Sequence, residues 1–211
     1  MAPWLEDFNN QDFRIFGEAK LKQVLANAKG DNLDDIFARA LIYGELSYSD
    51  KTVLPLAEEN YLKLIALCPE MPLSYGQLAS LYSQRGEAAK AIEYYNLELA
   101  RLPDLNTPDF PVQHLLAARG RTINIYLSLG DSYVRLKDKK NTEKYYNLAL
   151  ALEEKNPNAY QRLADYYFAQ GDFDRSIWYN KKGMELDPGN YEWPYSLSQI
   201  YIKQGKTDLA A

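Results

Sequence analysis

The sequence predicts an all-α fold of about five stacked helical hairpins, the last of them incomplete. The first observation is a pattern that recurs every 34 residues, a step typical of helix pairs that bury their apolar faces against neighbouring pairs. The second is that tyrosines between these positions keep the same step. The recurring residues are Leu129, Gly130 and Tyr133; Leu163, Ala164 and Tyr167; Leu197, Ser198 and Tyr201; and the tyrosine pair Tyr145 and Tyr179.

Residues 1–31 are predicted to form an N-terminal segment and a leading helix. The first part is polar apart from Trp4, Leu5 and Phe8, which we expect to lie against the first hairpin. A helix is predicted over residues 13–29, where it would cover the open end of the stack. Gly30 suits the left-handed backbone conformation that often follows the end of a helix.

Residues 32–71 predict a divergent hairpin. Asp31 or Asn32 can cap its first helix, which runs to about Leu46, because a short side-chain oxygen accepts from the free amides there. Arg39 occupies a position where a leucine is expected. The second helix runs from about residue 53 to 67, with Pro55 in its first turn, where proline is tolerated.

Residues 72–105 form a regular hairpin, and residues 106–122 then interrupt the 34-residue step. If this insertion were absent, Leu105 would lead into Ile123 in phase. The insertion is predicted to extend the next first helix, giving one helix over about 112–136 with the apolar stripe Val112, Leu115, Leu116, Ile123 and Tyr126. The alternative is a separate short helix that ends at Gly120.

Two further hairpins are predicted over 123–156 and 157–190, followed by an incomplete one over 191–211. Asn180 stands in the 157–190 hairpin where an aromatic residue is expected, which weakens that contact. In the last segment we expect Leu197, Ile200 and Tyr201 to be partly uncovered. An uncovered apolar end predicts possible self-association, and stabilisation by whatever chain follows naturally.

Composition excludes several classes of function. The net charge is −5, with 24 basic and 29 acidic residues, so no general attraction to nucleic acid is expected. No apolar run is long enough to insert into a membrane, and the first thirty residues do not resemble a signal peptide, so we expect a cytoplasmic protein. His114 is the only histidine and Cys68 the only cysteine. We therefore expect no metal, no cofactor and no catalytic residues in this chain.

The repeating pattern resembles the tetratricopeptide repeat, whose signature is an aromatic residue, Leu-Gly, Tyr, a small residue and Pro. The resemblance is clear over 72–105 and 123–205 and weaker over 32–71. It implies a right-handed α-solenoid whose concave groove is lined by the first helix of each hairpin. In the 157–190 hairpin the signature residues are Tyr160, Leu163-Ala164, Tyr167, Ser176 and Pro188.

The resemblance also implies which side chains line the groove. The set is polar and mixed in charge, with amides that can bond an extended peptide backbone. Arg162 can hold a carboxylate, whereas Asp131 and Asp165 favour a basic or polar group. An equally acceptable interpretation is that these residues only solubilise an exposed face. The predicted groove residues are Gln77, Ser80, Asn124, Ser128, Asp131, Asn158, Gln161, Arg162, Asp165 and Gln199.

Two specialised family functions do not fit. Family members that grip the C-terminal tail of heat-shock chaperones use lysines, asparagines and an arginine, but the matching positions here include Asp131 and Glu192, which would repel a carboxylate. A heat-shock chaperone tail is therefore not expected as a partner. The arms of sugar transferases carry a ladder of asparagines, and the corresponding positions here are Gln77, Ser128, Arg162 and Ser196.

The leading hypothesis is a protein-interaction scaffold that binds an extended peptide or a partner protein on its concave face. The alternative is the recruiting arm of a larger multidomain enzyme, such as a transferase, whose catalytic domain lies outside this chain. A self-associating structural protein is a weaker third option. The residues that follow Ala211 would discriminate between the first two, because further repeats favour a scaffold and an α/β pattern favours an enzyme.

Overall fold

The computed structural model of the chain describes residues 18–105, 112–206 and 208. Trp4, Leu5, Phe8 and the predicted start of the leading helix lie outside these ranges. Every regular element within the ranges is a helix, so the predicted all-α class is confirmed. The chain divides into two compact units, Met1–Leu102 and Pro103–Ala211. The predicted limits of the individual repeats remain a prediction.

The first unit contains a leading helix and two hairpins. Leu21 of the leading helix is buried against Ile42 and Leu46 of the next helix, so the leading helix covers the first hairpin. Asn32 is the residue that caps that next helix, because its side-chain oxygen accepts the Asp35 N–H at 3.0 Å. The helices are α1 (Glu18–Asn27), α2 (Leu33–Leu46), α3 (Leu54–Leu67), α4 (Pro72–Gln84) and α5 (Ala88–Leu99), with a 3-10 turn over Lys51–Val53.

The prediction for Gly30 was wrong. Helix α1 ends earlier, and Gly30 is not among the described glycines with a positive φ angle. Side chains of α2 fix this turn instead: the Gly30 N–H donates to Asp35 Oδ2 at 2.7 Å, and its carbonyl accepts from Arg39 Nη1 at 2.6 Å. Arg39 also donates from Nε to Asn60 Oδ1 at 3.0 Å. The arginine at a leucine position therefore joins the α1–α2 turn to α3.

The second unit contains two hairpins and one further helix. Its first helix runs without a break through Gly120, which is the first of the two arrangements that the sequence left open. The expected apolar stripe was wrong at Leu116, which is 62% exposed, because Ala118 and Thr122 hold the buried side of the helix instead. The helices are α6 (Val112–Arg135), α7 (Lys139–Leu152), α8 (Pro157–Ala169), α9 (Phe173–Leu186) and α10 (Glu192–Lys203).

Tyrosines fill the space between the two helices of each hairpin in the second unit. Tyr133 of α6 stacks on Tyr145 of α7 with ring centres 5.4 Å apart and planes 8° apart. The corresponding pair, Tyr167 and Tyr179, has values of 5.5 Å and 9°. Tyr167 also donates from its hydroxyl to Glu143 Oε1 at 3.1 Å, which joins one hairpin to the next. The 34-residue pattern therefore reproduces the same packing twice.

The expectation for the C-terminal helix was wrong in part. Leu197 and Ile200 of α10 are buried and Tyr201 is half-buried, because α10 packs its apolar side against α9. The large side chains that α10 leaves exposed are Tyr195 and Ile202. The uncovered stripe that motivated self-association is therefore not present at Leu197 and Ile200.

Candidate functional site

The predicted groove residues fall on the first helices of both units. In the second unit the exposed ones are Asn124, Asn158, Arg162 and Asp165, and the half-buried ones are Ser128, Asp131, Gln161 and Gln199. In the first unit Gln77 and Ser80 are half-buried on α4, and the Ser80 hydroxyl lies 3.4 Å from the Tyr48 hydroxyl. In the second unit, α6, α8 and α10 each contribute residues to the candidate site.

Asp131 is the centre of a small polar network between α6, α7 and α8. The Tyr146 hydroxyl donates to Asp131 Oδ1 at 2.6 Å, and Arg162 Nη1 lies 3.3 Å from Asp131 Oδ2. Burial raises the pKa of the Asp131 carboxyl, and this outweighs the hydrogen bond from Tyr146 and the charge of Arg162, which lower it. The sequence suggested that Arg162 and Asp131 face separate ligand groups, but in the structure they pair with each other.

Asp165 occupies the same position one repeat later with different neighbours. It accepts a hydrogen bond from Gln161 Nε2 at 3.1 Å. Although Asp165 reaches the surface, neighbouring protein atoms remove part of its hydration, and this is the largest influence that raises the pKa of its carboxyl. The negative charges of Glu192 and Asp131 also raise this pKa, whereas Gln161 and Arg162 lower it. The charged form of Asp165 is therefore less stable, relative to its neutral form, than that of an ordinary surface aspartate.

A cavity of about 150 Å³ opens beside Asp165, between α8, α9 and α10. Its existence follows from the residue at position 180. In the preceding repeat the corresponding residue is Tyr146, whose buried ring packs against α6 and whose hydroxyl reaches Asp131. Asn180 is shorter, so the same space is left open. The cavity is lined by Asp165, Phe168, Ser176, Asn180, Tyr195, Ser196, Gln199 and Ile200.

Asn180 itself is 1% exposed, and only one end of its amide is satisfied. Its Nδ2 donates to the Ser176 carbonyl at 2.9 Å. Its Oδ1 has no hydrogen-bond partner within the part of the chain that the structure describes. A buried acceptor without a donor is unfavourable, and the residue that carries it, Asn180, lines the cavity.

Sequence reasoning identified most of the polar residues of this face but missed the cavity. Asp165 and Gln199 were predicted, whereas Asn180, Phe168 and Ser176 were not assigned to a site. The sequence contained a signal for the cavity, because Asn180 replaces the tyrosine found at the equivalent position of each preceding repeat. These tyrosines are Tyr61, Tyr95 and Tyr146.

The described residues contain no group of three or more potential metal ligands. None of the helices that the structure describes has the length and hydropathy needed to cross a membrane.

Comparison with known families gives a consistent result. The profile of the tetratricopeptide repeat matches residues 73–97, 123–156 and 157–190. Over 132 residues the chain is 26% identical to anaphase-promoting complex subunit 6 of Arabidopsis thaliana, covering 63% of this chain and 22% of that protein. Over 137 residues it is 26% identical to anaphase-promoting complex subunit CDC16 of Saccharomyces cerevisiae, covering 65% and 15%. The chain thus spans about a fifth or less of these relatives.

Solved structures share the fold at low sequence identity. PilW, described as a type IV pilus biogenesis factor, superposes with a TM-score of 0.67 at 19% identity, covering 98% of this chain and 84% of that one. The Cut9–Hcn1 hetero-tetramer gives 0.65 at 18% identity, covering 92% and 35%. YrrB, described as having an unusual peptide-binding site, gives 0.57 at 18% identity, covering 88% and 86%. The predicted fold class, a right-handed α-solenoid of helical hairpins, is confirmed.

Proposed function

Because this chain belongs to the tetratricopeptide repeat family, we propose that it is a protein-interaction scaffold. A partner protein or an extended peptide binds the polar face formed by the first helices of the second unit. We call this surface the first-helix face and define it by Asn124, Asp131, Asn158, Arg162 and Asp165.

One observation carries the proposal. Side chains from the first helices of successive hairpins meet at the surface, with Arg162 of α8 3.3 Å from Asp131 of α6, and the pair stands beside a cavity with an unsatisfied acceptor. Arg162 is 51% exposed, and an ion pair with an exposed partner contributes little to stability, so folding alone gives little reason for this pair. A ligand can exchange its own charges for this pair without disturbing the core.

The similar proteins support a macromolecular partner. Two relatives are named as subunits of the anaphase-promoting complex, and one similar structure is a hetero-tetramer. We extend this to the present chain as a proposal: its partner is a protein, and the chain itself carries no active site. Nucleic acid is not proposed as a partner because the net charge is −5. A cytoplasmic location remains a prediction.

The test is a matched pair of charge reversals. Arg162→Glu places a negative charge on the first-helix face, and Lys182→Glu does the same on the exposed side of α9. A partner captured by the wild-type chain and identified by mass spectrometry supplies the binding assay. We expect Arg162→Glu to weaken its binding at least tenfold and Lys182→Glu to leave it unchanged, with folding checked by circular dichroism. The opposite pattern would place the binding surface on the second helices.

The alternative is that the chain is the recruiting arm of a larger protein, including an enzyme. It is favoured by the relatives, which are about five times longer than the matched region or more. The complete reading frame of the gene that encodes this chain tests it directly. A catalytic fold there would support the enzyme arm, and further helical repeats would support the scaffold. Self-association remains a separate prediction, tested by sedimentation of the purified chain.

A further inference from the structure

We propose that the cavity between α8, α9 and α10 is a pocket for a lysine side chain of the bound partner. Asn180 and Asp165 supply the acceptors for the lysine ammonium group. This inference rests on the proposed scaffold function, since it names a chemical feature of the ligand that the first-helix face recognises. We call the cavity the Asn180 pocket.

The Asn180 pocket requires a hydrogen-bond donor. Asn180 is almost completely buried, and its Nδ2 is already used by the Ser176 carbonyl at 2.9 Å. Its Oδ1 is left without a donor among the described residues. The Ser176 hydroxyl donates to the Ala164 carbonyl at 2.9 Å and accepts from Asn180 Nδ2 at 3.5 Å, so it has no proton left to donate to Asn180 Oδ1. Acceptors of this kind favour a ligand group that only donates, as an ammonium does.

The charge around the pocket selects a cation. The carboxylate of Asp165 lines the cavity, and three charged groups act on it: the positive Arg162, and the negative Glu192 and Asp131. The nearby Arg162 is paired with Asp131. A cation in the cavity would therefore offset an excess of negative charge, which is the arrangement expected for a charge-assisted hydrogen bond.

The walls and size suit an alkyl chain. Phe168 and Ile200 line the cavity, and apolar walls favour the methylene groups of a lysine while its head reaches the acceptors. A cavity of roughly 150 Å³ can hold a molecule the size of benzene. The fork of a guanidinium is best matched by two free parallel acceptors. The pocket instead offers one amide oxygen of Asn180 and a carboxylate whose Oδ1 already accepts from Gln161 Nε2 at 3.1 Å, which suits a compact ammonium.

The molecule contains its own example of how this space is filled. In the preceding repeat the Tyr146 ring occupies the equivalent position, and Asp131 accepts a hydrogen bond from the Tyr146 hydroxyl and forms an ion pair with Arg162. At Asp165 the residues equivalent to these two donors are Asn180 and Ser196. A lysine from the partner would supply to Asp165 what the chain's own side chains supply to Asp131.

The experiment is a titration of the isotope-labelled chain followed by NMR. The probe is lysine blocked at both ends of its backbone, compared with the same molecule acetylated on its side-chain nitrogen and with blocked norleucine. We expect saturable shifts of the Asn180 side-chain amide and of the Asp165 and Gln199 backbone amides with blocked lysine only. Equal shifts with norleucine would overturn the proposal, because the pocket would then select only an alkyl chain.

Variants make the result specific. Asn180→Tyr should fill the pocket and weaken the binding of blocked lysine about tenfold or more, whereas the matched control Asn147→Tyr, on an exposed position of α7, should leave it unchanged. Asp165→Asn should weaken binding severalfold while the spectrum stays folded. Binding that survives Asn180→Tyr would place the lysine elsewhere and overturn the proposal.

Failure of this inference and failure of the proposed function give different results. If blocked lysine does not bind while Arg162→Glu still releases the partner, the scaffold assignment stands and the lysine pocket is wrong. If blocked lysine binds but neither Arg162→Glu nor Asn180→Tyr affects the partner, the pocket exists and the partner binds elsewhere.

Discussion

The hairpins over 123–156 and 157–190 are built on the same frame and differ at the point where they face the candidate site. Their stacked tyrosine pairs agree within 0.1 Å in ring separation, at 5.4 Å for Tyr133 and Tyr145 and 5.5 Å for Tyr167 and Tyr179. One position on the second helix is different: Tyr146 fills its space and bonds Asp131, whereas Asn180 leaves a cavity beside Asp165.

The difference shows how a repeat protein can gain a site without changing its fold. The tyrosine stack and the hydroxyl bond from Tyr167 to Glu143 hold the helices at their spacing, so the residue at position 180 is not needed for that purpose. Loss of one ring therefore opens a pocket while the hairpin keeps its geometry. Variation at such a position changes what the face can bind.

The largest effect on stability is expected when Tyr146 is replaced by the asparagine that stands at the equivalent position 180. Tyr146→Asn would remove a buried ring, its edge contact with Tyr166 at 6.4 Å and the hydroxyl bond to Asp131. Loss of a large core side chain costs about 3–5 kcal/mol, and we expect the lower end of that range because the asparagine side chain still fills part of the space. Denaturant unfolding measures the loss. A loss below ~1 kcal/mol would mean that the Tyr146 ring fills little core volume, which would contradict the contrast between a filled and an open position.

The next largest loss of stability is expected at Gly130, which leaves space for the Tyr146 ring. A Cβ added at Gly130 would lie 2.2 Å from Tyr146 Cε1, so Gly130→Ala must displace the ring. Overpacking of this kind costs about 1–3 kcal/mol. The double variant with Tyr146→Asn is the control, because removing the ring should remove most of the penalty. An equal penalty in both backgrounds would show that another contact is responsible.

The two hairpins also differ in the length of their first helices, and Gly120 lies in the extra turns of α6. A Cβ at Gly120 would meet nothing within 4 Å, and its φ angle is not positive. Gly120→Ala should therefore stabilise the protein by up to ~1 kcal/mol through helix propensity. A lower melting temperature in this variant would indicate a break in the helix at this residue.

The smallest effect is a pH dependence at Asp165. Because the pKa of this carboxyl is raised in the folded protein, its contribution to stability is present below the unfolded pKa and is lost as pH rises through the folded value. Asp165→Asn should therefore raise the melting temperature slightly at pH 7, and the difference should vanish near pH 3.

Asp172 provides a control of opposite sign. Hydrogen bonds from the backbone and side chain of Arg175 lower the pKa of the Asp172 carboxyl, so its contribution is present at neutral pH and is lost in acid. Asp172→Asn should be less stable than wild type at pH 7. If both substitutions changed the melting temperature at pH 7 in the same direction, the inference that the pKa of Asp165 is raised would be wrong.

The sequence predicted the fold well because its repeated residues act locally. The helix spans and the tyrosine packing follow from a 34-residue period, in which each position meets the same neighbours. Predictions failed at Gly30 and Leu116, where the outcome depends on which helix packs against them. No period determines that Arg39 reaches the Gly30 carbonyl or that Leu116 turns outward.

The candidate site was predictable only in part. First-helix positions identified Asp131, Arg162 and Asp165 as exposed or half-buried polar residues, but charge alone could not show that Arg162 pairs with Asp131. The Asn180 pocket depends on what is missing from a repeat. The sequence does show an asparagine at a position where the preceding repeats have tyrosine. It does not show that a cavity results, because the cavity is formed by the packing of three helices.

The central claim is that Asn180 leaves open a space that a tyrosine fills in the preceding repeat. Thermal unfolding of Asn180→Tyr tests this most directly. Ala164 stands where Gly130 makes room for the Tyr146 ring, so a ring at position 180 must take the arrangement of the hairpin over 72–105, where Ala79 and Tyr95 are both buried. Cavity filling commonly adds about 0.5–2 kcal/mol, and we predict a higher melting temperature than that of the wild type. A lower melting temperature would show that the space does not accept a ring and would contradict the account.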